Sequence, residues 1–121
     1  MSFLKGWTRV PKAWGYEEHI VNTEHYCGKR MVLNKGFQSS MHYHKIKDET
    51  LYVERGLVRF EFESNDGMIG SQHTFGPGMF VRLKPGERHR FAGLEDSIMF
   101  EFSTHDDPED NYRLTQSGPI E

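Results

Sequence analysis

The chain has almost no cysteine and no long apolar run. Its one cysteine, Cys27, cannot form a disulfide within the chain. No apolar stretch approaches the roughly 20 residues that a membrane-spanning helix needs. The N-terminal MSFLKGWTRV also lacks the apolar core of a secretory signal. We therefore expect no membrane partner and a cytoplasmic location.

Neither acidic nor basic residues are concentrated in one stretch of the sequence. The 15 lysines and arginines face 18 aspartates and glutamates, which gives a net charge of -3 with neutral histidines. The basic residues form no run, whereas a chain that binds nucleic acid usually carries a basic cluster. We therefore expect no nucleic-acid partner. With 121 residues and no low-complexity segment, the chain is expected to be one domain, residues 1–121.

The two ends of the chain differ from its middle. Residues 1–16 form an arm that carries four aromatic residues, Phe3, Trp7, Trp14 and Tyr16. We expect this arm to pack on one end of the domain or to contact a second copy in a homodimer, the commonest closed assembly. Residues 104–121 form a polar tail, for which a short helix or an extended arm is predicted.

Between the ends, short strand patterns alternate with turn residues, and no helical pattern is persuasive. Valine, aromatic residues and period-two alternation predict strands, and Asn or Gly in 64–67 predicts a hairpin turn. The fold class is therefore predicted to be all-β, an antiparallel double-sheet jelly roll. The predicted strands are 17–22, 26–35, 37–44, 50–54, 57–63, 68–75, 79–83, 89–91 and 97–103.

Four side chains predict a metal site. His42 and His44 are separated by one residue, so a strand places both on the same face. Glu49 lies an odd number of residues beyond His44 and needs a turn over 45–48 to return to that face. His89, after Pro85-Gly86, is the candidate for the fourth ligand. Any one of these histidines alone would be an ordinary surface residue, but the combination favours one divalent transition metal ion, namely Zn, Fe, Mn or Ni.

The spacing of these residues resembles the cupin superfamily. The first cupin motif matches Gly36, His42, His44, Glu49 and Gly56 at every signature position. The second motif resembles the segment from Gly78 to His89, with two departures. Lys84 stands where the family usually has proline, and Gly93 stands where the motif often ends in asparagine. Neither departure affects a ligand, and the resemblance implies a barrel with the metal in its mouth.

Four blocks resemble a narrower group, the C-terminal domain of type II mannose-6-phosphate isomerases and related sugar-phosphate isomerases. The blocks are 11–17, 36–49, 85–90 and the stretch from 100–103 into 110–113. The resemblance implies aldose–ketose interconversion of a sugar or sugar phosphate at the metal. Glu101 is the candidate base, with a solvated strand glutamate as the alternative. The candidates for substrate contact are Lys47, Tyr52, Arg82, Arg90 and Arg113.

Three other functions remain open at this point. A site of histidines and glutamate with open positions could serve a metal-dependent dioxygenase. The chain could also be a module that binds a sugar or sugar nucleotide without turning it over. A lyase would need a tyrosine beside the metal, and Tyr43 and Tyr52 are the nearby options.

Overall fold

The structure is a computed structural model that describes residues 6–64 and 66–121. This part of the chain contains thirteen strands and no helix, so it also offers no helix that could cross a membrane. The strands are β1 Thr8–Lys12, β2 Gly15–Asn22, β3 Cys27–Leu33, β4 Phe37–Gln38, β5 His42–Tyr43, β6 Glu49–Arg55, β7 Val58–Glu63, β8 Ile69–Phe75, β9 Phe80–Leu83, β10 Arg88–Gly93, β11 Ser97–Ser103, β12 Tyr112–Arg113 and β13 Gly118–Pro119.

The strands form two antiparallel sheets. The first has six strands in the order β1-β2-β3-β11-β6-β9. The second has seven strands, with the order β12-β5-β10-β4-β13 and with β7 paired to β10 and β8 paired to β7. Neighbours in space are mostly distant in sequence, as in a jelly roll. The predicted all-β double-sheet jelly roll is confirmed.

One hydrophobic cluster fills the space between the sheets. Trp14 packs edge-on against Phe91, with ring centroids 5.1 Å apart and an interplanar angle of 79°. Trp14 therefore anchors the predicted aromatic arm in the core. The other buried members of the cluster are Met31, Leu33, Leu51, Val53, Val58, Phe60, Leu83 and Met99.

The two ends of the chain are built into the sheets. Thr8–Lys12 of the arm is an edge strand paired with β2, whereas Phe3 lies outside the described residues. The polar tail contributes β12, which pairs with β5, and β13, which pairs with β4. An extended arm was one of the two forms predicted for the tail, and the structure contains no helix there.

The charged residue of strand β11, Glu101, faces the interior of the protein. Met99 and Glu101 are buried, whereas Phe102 on the alternate face is 59% exposed. The same alternation in β3 buries Lys29 and Met31. The inner face of the first sheet is therefore apolar at one end and charged at the other, and the charged end adjoins the histidines.

Candidate metal centre

Three imidazole rings converge in the described part of the chain. His42 lies in β5 and His89 lies directly opposite it in β10, while His44 follows one residue after β5. Nitrogen atoms of the three rings all lie within 4.8 Å of one another. The sequence-predicted pair His42 and His44 and the distant His89 are thus brought together by strand register.

Backbone carbonyls orient all three rings. Nδ1 of His42 lies 2.7 Å from the Ser40 carbonyl oxygen. Nδ1 of His44 lies 2.5 Å from the Asp110 carbonyl oxygen. Nδ1 of His89 lies 2.9 Å from the Glu87 carbonyl oxygen. A carbonyl only accepts, so each Nδ1 carries the proton in a neutral ring and each Nε2 keeps a lone pair.

The free nitrogens fit a metal. Nε2 of His89 is buried and has no hydrogen-bond partner in the described structure, which is costly for a polar atom unless a ligand completes it. Histidines that bind metals typically donate their other N–H to a carbonyl or carboxylate. The donor set therefore fits a divalent transition metal ion.

Glu49 completes the cluster from the start of β6. Its Oε1 lies 3.5 Å from Nε2 of His89, and its Oε2 lies 3.8 Å from Nε2 of His44. Burial opposes ionisation of this carboxyl, but the Lys47 ammonium, 3.1 Å away, helps to hold the pKa of Glu49 well below its usual range. Glu49 thus offers a carboxylate beside the three rings.

Burial also disfavours the charged form of His42. Burial, with the neighbouring His89 ring, lowers the pKa of His42 to about 3. The His42 ring is therefore neutral near pH 7, the form in which imidazole binds metals.

Asp110 of the tail makes the turn that the sequence predicted over 45–48. Its carboxylate accepts the backbone N–H groups of Lys45, Ile46 and Lys47 at 2.8, 3.1 and 3.0 Å. These three bonds bend the chain after His44, so that Glu49 returns to the face of the histidines. The Asp110 carbonyl also orients His44, so this one tail residue positions two members of the cluster.

Lys47 lies inside the protein, where it joins three carboxylates. Its Nζ is 2.7 Å from Oε2 of Glu101, 2.8 Å from Oδ1 of Asp106 and 3.1 Å from Oε2 of Glu49. Burial would favour the neutral amine, but the three carboxylates outweigh it and raise the pKa of Lys47. Lys47 is therefore a fixed cation that links Glu49 to Glu101.

Glu101 is a buried carboxyl that also accepts a hydrogen bond from the Ser103 hydroxyl at 2.9 Å. Burial and the neighbouring Glu49 carboxylate raise the pKa of Glu101, against the opposing charges of Lys47 and Lys29. The predicted alternative, a solvated strand glutamate, does not describe its surroundings.

A cavity of about 420 Å³ is lined by His42, His44, Lys47, Glu49 and Glu101. Arg113 lies at its edge, opposite His42 in strand register, so both side chains lie on the same face. No carboxylate of residues 6–64 and 66–121 lies within ion-pair distance of Arg113. Other polar residues lining the cavity include Lys12, Glu17, His19, Lys29, Asp106 and Asn111.

Three residues predicted to contact substrate lie away from this cavity. Tyr52 alternates with the cavity-lining Leu51 and so occupies the outer face of β6. Arg82 is exposed and pairs with Asp48 at 2.7 Å. Arg90 alternates with the buried His89 and forms an ion pair with Glu61 on the outer face of the second sheet.

Several cavity residues carried little signal in the sequence. Glu17 and Asp110 lie in the blocks that resemble the isomerase group, and no other feature of the sequence indicates that they belong to the site. His19, Lys29 and Asp106 are single polar residues in ordinary strand or tail segments. Strand register places His19 and Lys29 on the cavity wall, and the path of the tail brings Asp106 to it.

Comparison with known proteins gives the family. The profile of the cupin domain matches residues 29–103, which is more than half of the chain. This chain belongs to the cupin family. No curated protein matches it.

Solved structures support the same cupin fold. Oxalate decarboxylase from Bacillus subtilis superposes with a TM-score of 0.75 at 20% identity, over 89% of this chain and 30% of that chain. KdgF from Halomonas sp. superposes with a TM-score of 0.72 at 19% identity, over 85% of this chain and 88% of that chain. The chain thus spans under a third of the oxalate decarboxylase and most of KdgF. The narrower resemblance to sugar-phosphate isomerases stays a prediction.

Proposed function

We propose that this cupin is a metal-dependent isomerase that moves a proton between neighbouring carbons of a small hydroxy-carbonyl compound, a sugar or sugar phosphate. The observation that carries the proposal is the position of Glu101. This buried carboxyl, with its raised pKa, lines the same cavity as His42 and His44, two of the three convergent imidazoles. A buried carboxyl with a raised pKa is suited to accepting and returning a proton.

The Nε2 atoms of His42, His44 and His89, with the Glu49 carboxylate, would hold the ion. Imidazole and carboxylate donors together suit Zn, Fe, Mn or Ni. One of the solved neighbours, the oxalate decarboxylase of Bacillus subtilis, is described with Mn(II) centres. A bound divalent cation polarises a carbonyl oxygen, which makes the adjacent C–H bond more acidic.

Glu101 would take the proton of that C–H bond and return it to the neighbouring carbon. Lys47 and Ser103 both contact Oε2 of Glu101 and fix the plane of the carboxylate. We assign Oε1 as the oxygen that receives the proton. The electron pair of the C–H bond forms a C=C bond while the π pair of the C=O bond moves to the carbonyl oxygen. That oxygen takes the proton of the neighbouring hydroxyl. Glu101 then returns its proton to the other carbon as the C=C pair moves to it and a C=O bond forms at the neighbouring oxygen, so the isomer forms without an oxidant.

Arg113 would bind an anionic group of the substrate at the edge of the cavity. It lies on the same face as His42 and has no carboxylate partner among the described residues. A planar guanidinium with several N–H donors binds phosphate or carboxylate oxygens in pairs. This position would place the charged end of a sugar phosphate beside the metal cluster.

The test is turnover of phosphorylated aldoses and ketoses by metal-loaded protein in D₂O, with deuterium incorporation as the record of C–H exchange. We expect Glu101→Gln to retain its metal and to lose turnover by about 100-fold or more. Glu54→Gln, an exposed change on the same sheet, is the matched control. Sugar binding without exchange would contradict the proposal in favour of a binding module, and oxygen consumption would contradict it in favour of a dioxygenase.

A further inference from the structure

The cavity contains a second pair of groups suited to acid–base chemistry, on a different wall from the imidazole cluster. Glu17 and His19 lie on the inner face of β2, and both line the cavity. Nε2 of His19 lies 2.7 Å from Oε1 of Glu17. Neither residue takes part in the metal cluster or in the proton transfer assigned to Glu101.

The contact with Glu17 determines which ring nitrogen of His19 is free. Burial opposes ionisation of Glu17, but His19, Lys29 and Lys12 outweigh it and lower its pKa to about 2. The carboxylate only accepts, so Nε2 of a neutral His19 carries the proton and Nδ1 keeps the lone pair. No residue in the described ranges hydrogen-bonds to this Nδ1. A carboxylate that orients a histidine in this way is a common arrangement for a general base.

The register of the first sheet gives the distance between the two candidate bases. His19 lies opposite Lys29, and Lys29 lies opposite Glu101. Adjacent strands are about 4.8 Å apart, so the backbones of His19 and Glu101 are separated by about 10 Å across the cavity wall. Lys29 lies between them, and its Nζ contacts Asp106 at 3.0 Å and Glu17 at 3.5 Å. The two groups can therefore act on different atoms of one small substrate.

Sugars create a need for a second proton carrier. Hexose phosphates exist mainly as cyclic hemiacetals, in which the carbonyl needed for isomerisation is masked. Opening the ring requires removal of the proton from the anomeric hydroxyl and delivery of a proton to the ring oxygen. Glu101, which is held by Lys47 and Ser103, is assigned to the C–H proton.

We infer that His19, oriented by Glu17, is the catalytic residue that opens the sugar ring before Glu101 acts; this inference rests on the proposed isomerase function. Nδ1 takes the proton of the anomeric hydroxyl, and the electron pair of that O–H bond forms the C=O bond. The bond between the anomeric carbon and the ring oxygen breaks, and the ring oxygen receives the proton from His19. The step conserves all atoms and electrons.

The test measures exchange between the anomers of mannose 6-phosphate by NMR exchange spectroscopy with metal-loaded protein. We expect the wild-type protein and Glu101→Gln to accelerate this exchange, and His19→Gln to lose at least about 100-fold of the acceleration. His25→Gln is the matched control, because His25 forms an exposed pair with Glu24 outside the cavity. Metal content should be unchanged in His19→Gln.

Dihydroxyacetone phosphate, which cannot close to a ring, provides a second readout. His19→Gln should isomerise it at the wild-type rate, and an equal loss on both substrates would overturn the inference. The ¹⁵N shifts of the His19 ring should report a proton on Nε2, which Glu17→Gln should partly move to Nδ1. These shifts would keep the inference testable if His19→Gln did not fold.

The two proposals fail in different ways. Isomerisation without accelerated anomer exchange would overturn the role of His19 and leave the proposed function standing. Anomer exchange without isomerisation would support His19 and overturn the proposed function. Wild-type anomer exchange in His19→Gln would overturn the inference outright.

Discussion

Replacing Glu17 with glutamine is expected to make the protein less stable near neutral pH and to change how its stability depends on acid. Glu17 is buried and contacts His19, Lys29 and Lys12 at 2.7, 3.5 and 3.9 Å. Against the opposing effect of burial, these groups lower its pKa from 4.5 to about 2. This lowering of the pKa corresponds to roughly 3 kcal/mol of unfolding free energy.

The sign of the pH effect follows from the lowered pKa. The folded protein holds the Glu17 proton less tightly than the unfolded chain does. The contribution is therefore fully present above about pH 4.5 and is lost as the pH falls through about 2. Linkage predicts that the difference between wild type and Glu17→Gln narrows by roughly 1 to 1.5 kcal/mol between pH 7 and pH 3.5.

Urea unfolding at a series of pH values measures this difference directly. The exposed, uncharged change Ser71→Ala serves as the control, and its difference from wild type should not vary with pH. A Glu17→Gln difference that stayed constant, or that grew as the pH fell, would show that the three basic neighbours do not stabilise the Glu17 carboxylate.

Two further predictions concern the metal cluster and the core. His44→Ala should lower bound metal sharply in elemental analysis, because it removes one of three convergent nitrogens; His73→Ala, on the exposed strand β8, should leave the metal content unchanged. Trp14→Ala should lower the unfolding free energy by about 3–5 kcal/mol in urea, because it leaves a cavity against Phe91. A loss below about 1 kcal/mol would contradict the central position of Trp14 in the core.

The sequence predicts the site best where the position of a side chain depends only on the backbone geometry of a few neighbouring residues. Period-two alternation placed His42 and His44 on one face, and the parity of the spacing required the turn before Glu49. Both inferences depend only on local backbone geometry. The cupin spacing then added His89 across a long separation, and the structure places it opposite His42.

Contacts between residues far apart in the sequence could not be predicted, and several residues of the site depend on such contacts. Lys47 lies in the polar turn over 45–48 and resembles a surface cation in the sequence. It is only 3% exposed, because the tail residue Asp106 and the strand residue Glu101 pack against its ammonium group. Arg82 and Arg90 are the other cations that the sequence analysis predicts, with Lys47 and Arg113, to contact substrate. Strand alternation places both on outer faces, since Leu83 and His89 take the inner positions. The position of a residue in the inward–outward alternation of its strand therefore predicts better than its charge whether its side chain faces the cavity.

The orientation of the side chains in strand β11 is not the one that would make the fold most stable. The most stable arrangement would bury Phe100 and Phe102 and expose Glu101. Burial of apolar side chains stabilises the folded state, whereas burial of a charged group costs several kcal/mol per ion. The chain does the reverse: Glu101 is 3% exposed and Phe102 is 59% exposed. Lys47 offsets the cost for Glu101, but a buried ion pair is seldom more stable than apolar residues of similar size. The inward charge is therefore better explained by the chemistry of the cavity than by the stability of the fold.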